Sequence, residues 1–278
     1  MAAADSPKAL LERYGLRPKY SFGQNFLADE RLAARIAEAC AAAGGSVVEL
    51  GAGLGALTRP LLASGVSYVL AVERDRDLVP ALGQELASEV EAGRLSILEE
   101  DAKRVDFVAA LAGRPTPHVV AGNLPYQITG PLLEKAVHSA PSIARAVFLV
   151  QLEVADRLAA AAGSDNYGAL SVFAQRAFKV ERAFVIRRGA FYPQPNVDSA
   201  VVTLEPRGAP AESDEFRAIV KRAFEQRRKK LKNAWAGLFG ERGIDLEAAA
   251  QRAHIDLSLR GETLAVADFV RMAEELRT

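Results

Sequence analysis

The chain has 278 residues, half of them hydrophobic and a quarter charged, with 35 basic and 35 acidic side chains and a formal net charge of zero. That balance is typical of a soluble globular protein and gives no chain-wide attraction toward a polyanion or an anionic membrane. No apolar run reaches the length of a bilayer span, the N-terminus lacks an apolar signal core, and Asp5 and Glu12 argue against a transit peptide. Cys40 is the only cysteine, which excludes an intrachain disulfide and a cysteine-based zinc cluster. It shares an apolar helical face with Leu32 and Ile36 and reads as a packed core thiol. The cytoplasm is the expected compartment.

Residues 46–50 read as a buried strand that runs into Gly51-Ala52-Gly53-Leu54-Gly55, with a helix predicted over 56–63. Glycines in this position let the backbone approach a bound nucleotide closely. A second strand, 67–72, ends at Glu73, where a carboxylate can accept from both hydroxyls of a ribose. A third, 95–98, leads to Glu99-Glu100-Asp101 and places Asp101 to accept from an adenine amine. The glycine loop and Glu73 suit NAD as well as S-adenosylmethionine. Glu49 separates the two, because a carboxylate beside the loop disfavours a pyrophosphate and tolerates a phosphate-free, positively charged cofactor.

The strand over 118–121 delivers Asn123-Leu124-Pro125-Tyr126. The exocyclic amine of adenine is a poor nucleophile because its lone pair is delocalised into the ring. Two acceptors held at fixed positions draw that nitrogen toward tetrahedral geometry, and an Asn oxygen with the backbone carbonyl beside a proline supplies them. Pro125 stiffens the turn, and Tyr126 offers a face to a base taken out of its stack. The competing reading is an ordinary strand-ending turn, since Gly, Asn and Pro all favour turns.

Beyond it come a helix over 130–139, a strand over 146–150, helices over 153–162 and 169–178, and strands over 184–186 and 200–204. Seven strands with intervening helices predict a three-layer α/β domain with a mostly parallel sheet. Ligands bind such sheets at the carboxyl ends of the strands, where the glycine loop, Glu73, Asp101 and Asn123 all fall. Phe191-Tyr192-Pro193-Gln194-Pro195, before the last strand, is either a rigid apolar connection or an aromatic face for a base opposite Tyr126. A linker follows over 205–210. Phe216, Ile219, Val220, Ala223 and Phe224 then have the spacing of one helix face, with Ser213 or Asp214 as its cap. Further helices are expected over 231–239, 246–253 and 264–276. The division is a catalytic-type domain over 1–205 and a small all-α domain over 206–278.

Local charge departs from the neutral whole. Lys221, Arg222, Arg227, Arg228, Lys229, Lys230 and Lys232 face the single acid Glu225, and Lys8, Arg13, Arg17 and Lys19 form a looser cluster. Such runs bind phosphates and release counterions, although cations also favour helix C-termini for structural reasons. Arg222, Arg227, Arg228, Lys229 and Lys230 are the candidate RNA contacts. Trp235, His118, His138 and His254 carry no ligand spacing and read as structural; no metal is expected.

Taken together, these segments resemble the ribosomal RNA adenine N6,N6-dimethyltransferases of the KsgA type. The resemblance runs through Phe22-Gly23-Gln24-Asn25-Phe26-Leu27, the glycine loop, Val72-Glu73-Arg74-Asp75, Glu100-Asp101-Ala102 and Asn123-Leu124-Pro125-Tyr126. It continues through residues 191–202 and Phe224-Glu225-Gln226-Arg227-Arg228-Lys229. It implies a Rossmann-like class I S-adenosylmethionine-dependent methyltransferase with a helical C-terminal domain. The implied activity is dimethylation of two adjacent adenosines near the 3′ end of 16S rRNA, on a precursor 30S particle, by a monomer. Asn25, Leu27, Gly51, Gly53, Glu73, Asp101 and Asn123 would then contact the cofactor. Asn123, Leu124, Pro125 and Tyr126 would hold the target base, with Phe191 stacked on it. The macrolide-resistance methyltransferases of 23S rRNA look similar through the catalytic domain, but residues 226–229 and 257–264 look more like the 16S group. A ribosome assembly factor with little or no catalysis is the alternative from another class.

Overall fold

The computed structural model describes residues 5–42, 44–209, 212–225 and 229–277. Among them are strands β1 (Phe26–Leu27), β2 (Ser46–Leu50), β3 (Tyr68–Glu73), β4 (Leu95–Glu99), β5 (His118–Asn123), β6 (Arg145–Gln151), β7 (Phe178–Ile186), β8 (Phe191–Tyr192) and β9 (Ser199–Pro206). Seven form one sheet in the order β4-β3-β2-β5-β6-β9-β7. The pairs β3–β4, β2–β3, β2–β5 and β5–β6 are parallel, and β9 runs antiparallel to β6. Every residue of β2 and β3 is buried, as expected for central parallel strands covered on both faces.

The chain builds outward from β2 to β3 and β4, then returns past β2 to place β5 and β6 on its other side. That reversal opens a crevice at the carboxyl ends of β2 and β5, where ligands of open α/β sheets bind. Register keeps those ends level: Val47 is paired with Val69 on one side and with Val119 on the other. Gly122 permits the close approach, since a Cβ there would lie 2.4 Å from the Leu50 carbonyl oxygen.

The helix Glu30–Cys40 lies over one face. Asp29 caps it by accepting from the N–H groups of Arg31 and Leu32, and its buried stripe is Ala33, Ile36, Ala37 and Cys40. Burial pushes the Cys40 thiol up to about 12, so it is an inert packing group. The short ribbon of β1 and β8, with Phe26 opposite Tyr192 and Leu27 opposite Phe191, was not anticipated. Two-residue strands carry no readable periodicity.

Two compact units result. One holds the residues up to Ala155 with Lys179–Pro206; the other holds Asp156–Phe178 with the residues from Arg207 onward. Residues 156–178, assigned by sequence to the first domain, therefore belong to the helical unit. The reason is apolar packing: Tyr167 and Val172 join Phe216, Ile219, Trp235 and Phe269 in one buried cluster. Trp235 donates its indole N–H to the Ile219 carbonyl at 3.0 Å, and Ser213 caps the helix Asp214–Glu225 through the Phe216 N–H. No helix among the described residues is long and apolar enough to cross a membrane.

Candidate active site

A pocket opens at the carboxyl ends of β2, β3 and β5. The glycine loop forms its floor. Gly51 and Gly53 have φ of 75° and 57°, in the left-handed region that a side chain strains. The Gly51 and Ala52 N–H groups donate to the Val72 carbonyl at 2.9 and 3.1 Å, tying the loop to β3. A Cβ on Gly53 would come within 3.1 Å of the Phe26 ring.

Two carboxylates lie behind the loop. Glu73, 6% exposed, accepts from the N–H groups of Gly53 and Asp75, both at 2.8 Å. Burial raises its pKa, and those N–H bonds act against the rise. Glu49 is 1% exposed and accepts from the Thr58 hydroxyl at 2.6 Å. Burial pushes its carboxyl up to about 8; the Thr58 bond works against this, and the Glu73 charge adds to it.

The opposite wall is the Asn123–Tyr126 turn, held at several points. The Asn123 Nδ2 donates to the Asn25 carbonyl at 2.9 Å. A carbonyl oxygen only accepts, so one N–H of the amide is held there, which fixes the side chain and leaves Oδ1 available as an acceptor. The Leu124 N–H donates to the Leu149 carbonyl at 3.0 Å. The Pro125 carbonyl accepts from the Ile128 N–H at 3.0 Å and the Thr129 hydroxyl at 3.1 Å. The Tyr126 hydroxyl pairs with that of Ser199 at 2.9 Å, and burial raises its pKa.

Residues 19–27 form a strap along the pocket. Lys19 donates to Asp75 at 2.5 Å and Asp77 at 2.6 Å. Gln24 donates to Asp75 at 2.8 Å and accepts from the Lys19 N–H at 2.7 Å. The Arg74 guanidinium lies 4.3 Å from the centre of the Phe22 ring. Burial alone would raise the Asp75 carboxyl, but the hydrogen bonds from Lys19, Gln24 and the Asp77 N–H hold it below its ordinary value. Sequence reasoning assigned no role to Gln24 or Asp75, and placed Lys19 in a loose basic cluster of the phosphate-binding kind rather than on these acids. The signal was present, since Gln24 and Asp75 stand inside two of the motifs.

Asn25, Leu27, Gly51, Gly53, Glu73, Asn123, Leu124, Pro125 and Tyr126 line this one pocket; Asp101 and Phe191 do not. At the end of β4 the lining residues are Glu100 and Ala102. The Asp101 carboxylate instead accepts from the Lys103 N–H at 3.0 Å and lies 3.6 Å from its ammonium. Phe191 is 5% exposed and packs in the core cluster with Leu27 and Ile36, which makes it a support for β1. In the helical unit Arg222 is exposed and paired with Glu225 at 3.0 Å, and Lys229 and Lys230 are exposed. Arg227 and Arg228 lie outside the described residues. The looser N-terminal cluster is largely neutralised internally: Arg13 pairs with Glu85 and Asp5, Lys8 with Glu12, and Lys19 with Asp75 and Asp77.

The residues present fit a nucleoside cofactor without phosphate. The glycines keep the loop open beside Phe26, and Glu73 next to it suits ribose hydroxyls. Glu49, expected from sequence to act as an anion beside the loop, is instead buried on Thr58 with its carboxyl pushed up to about 8, so it is largely protonated at neutral pH. Sheet order, switch-point crevice and glycine loop together define a class I S-adenosylmethionine-dependent methyltransferase. The pattern of the family described as ribosomal RNA adenine dimethylase matches residues 15–278. The chain is 45% identical to a ribosomal RNA small subunit methyltransferase A from Anaeromyxobacter sp. (strain K), over 98% of each protein. Its fold is shared with a dimethyladenosine transferase from Plasmodium falciparum, at 23% identity and a TM-score of 0.75, over 89% of this chain and 95% of that one. The 23S rRNA methyltransferase ErmE superposes with a TM-score of 0.69 at 25% identity, over 91% and 100% of the two chains. The chain belongs to the ribosomal RNA adenine dimethylase family.

Proposed function

We propose that the chain binds S-adenosylmethionine in this pocket and dimethylates the N6 amines of two adjacent adenosines near the 3′ end of 16S rRNA, on a precursor 30S particle. It acts as a cytoplasmic monomer in this reading. The observation that carries it is the Asn123 amide, which lines the pocket and is fixed by donation from Nδ2 to the Asn25 carbonyl, leaving Oδ1 available as an acceptor. The small-subunit target is supported by the 45% identity over 98% of both chains to a small subunit methyltransferase A.

The cofactor supplies a methyl already activated on a sulfonium, so the protein needs no strong base. Its task is positioning, which supplies much of a rate enhancement of this kind. Asn123 Oδ1 and the Leu124 carbonyl accept the two amine hydrogens and free the lone pair. Tyr126, fixed by Ser199, presents its ring to the extruded base. Glu73 holds the ribose: its carboxylate, positioned by backbone N–H groups that include those of Gly53 and Asp75, retains acceptor capacity for a hydroxyl. At the end of β4, Glu100 lines the pocket and is the carboxylate placed to accept from the cofactor adenine, while Asp101 is held by Lys103 and would have to turn inward to do so. Arg222, Arg227, Arg228, Lys229 and Lys230 take rRNA phosphates.

The test is methyl transfer from labelled S-adenosylmethionine to undermethylated 30S particles, with 50S particles as control and mass spectrometry of the digested rRNA. Dimethyladenosine confined to 16S rRNA is the expected result. Label in 23S rRNA would transfer the protein to the resistance group. Binding to 30S particles without label would leave an assembly factor.

A further inference from the structure

Tyr20 is 83% exposed, whereas the other large hydrophobic side chains classed as exposed range from 37% to 44%. So bare a ring contributes almost nothing to the core, yet its backbone is held firmly. Tyr20 opens the 3-10 turn Tyr20–Phe22, closed by donation from the Gly23 N–H to the Tyr20 carbonyl at 3.0 Å. On one side Lys19 is bound to Asp75 and Asp77, and on the other Phe22 lies under Arg74. Little further order is lost when a flat ligand settles on a ring mounted this way.

The surrounding charge is net positive. Arg17, Arg74 and Arg76 are exposed, and Lys19 is shared between the two nearby acids, buried Asp75 and exposed Asp77. Phe22 and Arg74 also line the pocket, so this surface is continuous with the pocket mouth. An exposed aromatic among guanidinium groups is the chemistry of single-stranded nucleic acid, in which bases stack and phosphates pair. Extruding one base also leaves its neighbour without a stacking partner, and a ring at the mouth replaces that partner.

We propose that Tyr20, Arg17, Arg74 and Arg76 form a nucleotide-contact surface at the pocket rim, where an unpaired base flanking the target stacks on Tyr20 and the arginines take adjacent phosphates. This rests on the rRNA substrate proposed above. The full-length protein is assayed for binding to undermethylated 30S particles and for methyl transfer, with S-adenosylmethionine affinity by calorimetry as the control for folding. Tyr20→Ala weakens particle binding about tenfold or more, as expected for one stacked base, Tyr20→Phe restores it, and neither alters cofactor affinity. Arg76→Glu lowers the slope of binding against salt by about one. Photoreactive p-benzoylphenylalanine at position 20 labels rRNA. Wild-type particle affinity in Tyr20→Ala, or label on a ribosomal protein instead of rRNA, overturns the surface while leaving the methyltransferase reading intact. Wild-type protein that methylates no rRNA overturns both.

Discussion

The two walls of the pocket are held by different physics. The Asn123–Tyr126 wall stands on backbone hydrogen bonds and buried side chains: Leu124 is tied to Leu149, Pro125 to Ile128 and Thr129, Tyr126 to Ser199. The strap over residues 19–27 is held at its far end by the β1–β8 ladder, but at its near end by charged side chains, Lys19 at 36% exposure against buried Asp75 and exposed Asp77. A wall of the first kind keeps its geometry across salt and pH, and one of the second kind softens as salt screens it. The atom placement that the proposed methyl transfer depends on falls on the stiff wall.

Asn123→Ala attacks the stiff wall directly and has the largest expected effect. It removes an acceptor and the tie to Asn25, and the single-turnover rate of methyl transfer should fall by about 10²–10³-fold or more. Particle binding should change far less; equal loss in both would mean that Asn123 merely holds the turn. Glu49 comes next and concerns stability. Its carboxyl has an ordinary value of 4.5 and titrates near 8 when folded. The folded state therefore keeps a proton that the unfolded chain has already released, and stability falls as pH rises from about 4.5 toward 8. The loss is on the order of 4 kcal/mol. Denaturant unfolding at pH 5, 6.5 and 8 should show that slope, and Glu49→Gln should flatten it; an unchanged slope would remove Glu49 as its source.

Glu73→Ala should weaken cofactor binding by roughly 1.5–3 kcal/mol, through loss of a charge-assisted acceptor for the ribose. Titration calorimetry reads this directly, and wild-type affinity would end that role. Lys19→Met acts on the soft wall and should lower cofactor affinity by less than Glu73→Ala does. That cost should shrink as salt rises, while the Glu73→Ala deficit stays nearly constant. Salt-independent loss in both would mean the walls do not differ as described.

Much of this arrangement is legible in the amino-acid sequence alone, because strand ends announce themselves. Buried β-branched runs stop at Gly51, Glu73 and Asn123, and a parallel sheet gathers such ends together. What escapes is set by geometry on a finer scale. Whether Asp101 or Glu100 faces the pocket turns on one residue of register, which alternating side-chain direction makes decisive. Phe191 reads equally well as a base-stacking ring or as a core residue until β8 is seen to pair with β1. Residues 156–178 read in sequence as two further helices of the α/β domain, and only their packing with Phe216 and Trp235 assigns them to the helical unit. The Lys19–Asp75 pair joins residues too distant in sequence for any local pattern to reveal.

The bond from the Asn123 amide to the Asn25 carbonyl joins the two walls, and it carries a thermodynamic obligation. Residues 22–27 of the strap line the pocket proposed for the cofactor, and the strap also fixes the amide proposed to receive the target base. A cofactor that ordered the strap would then raise affinity for the base. By reciprocity, a base seated against Asn123 would tighten cofactor binding by the same factor. Coupling between the two substrates would run through a single amide.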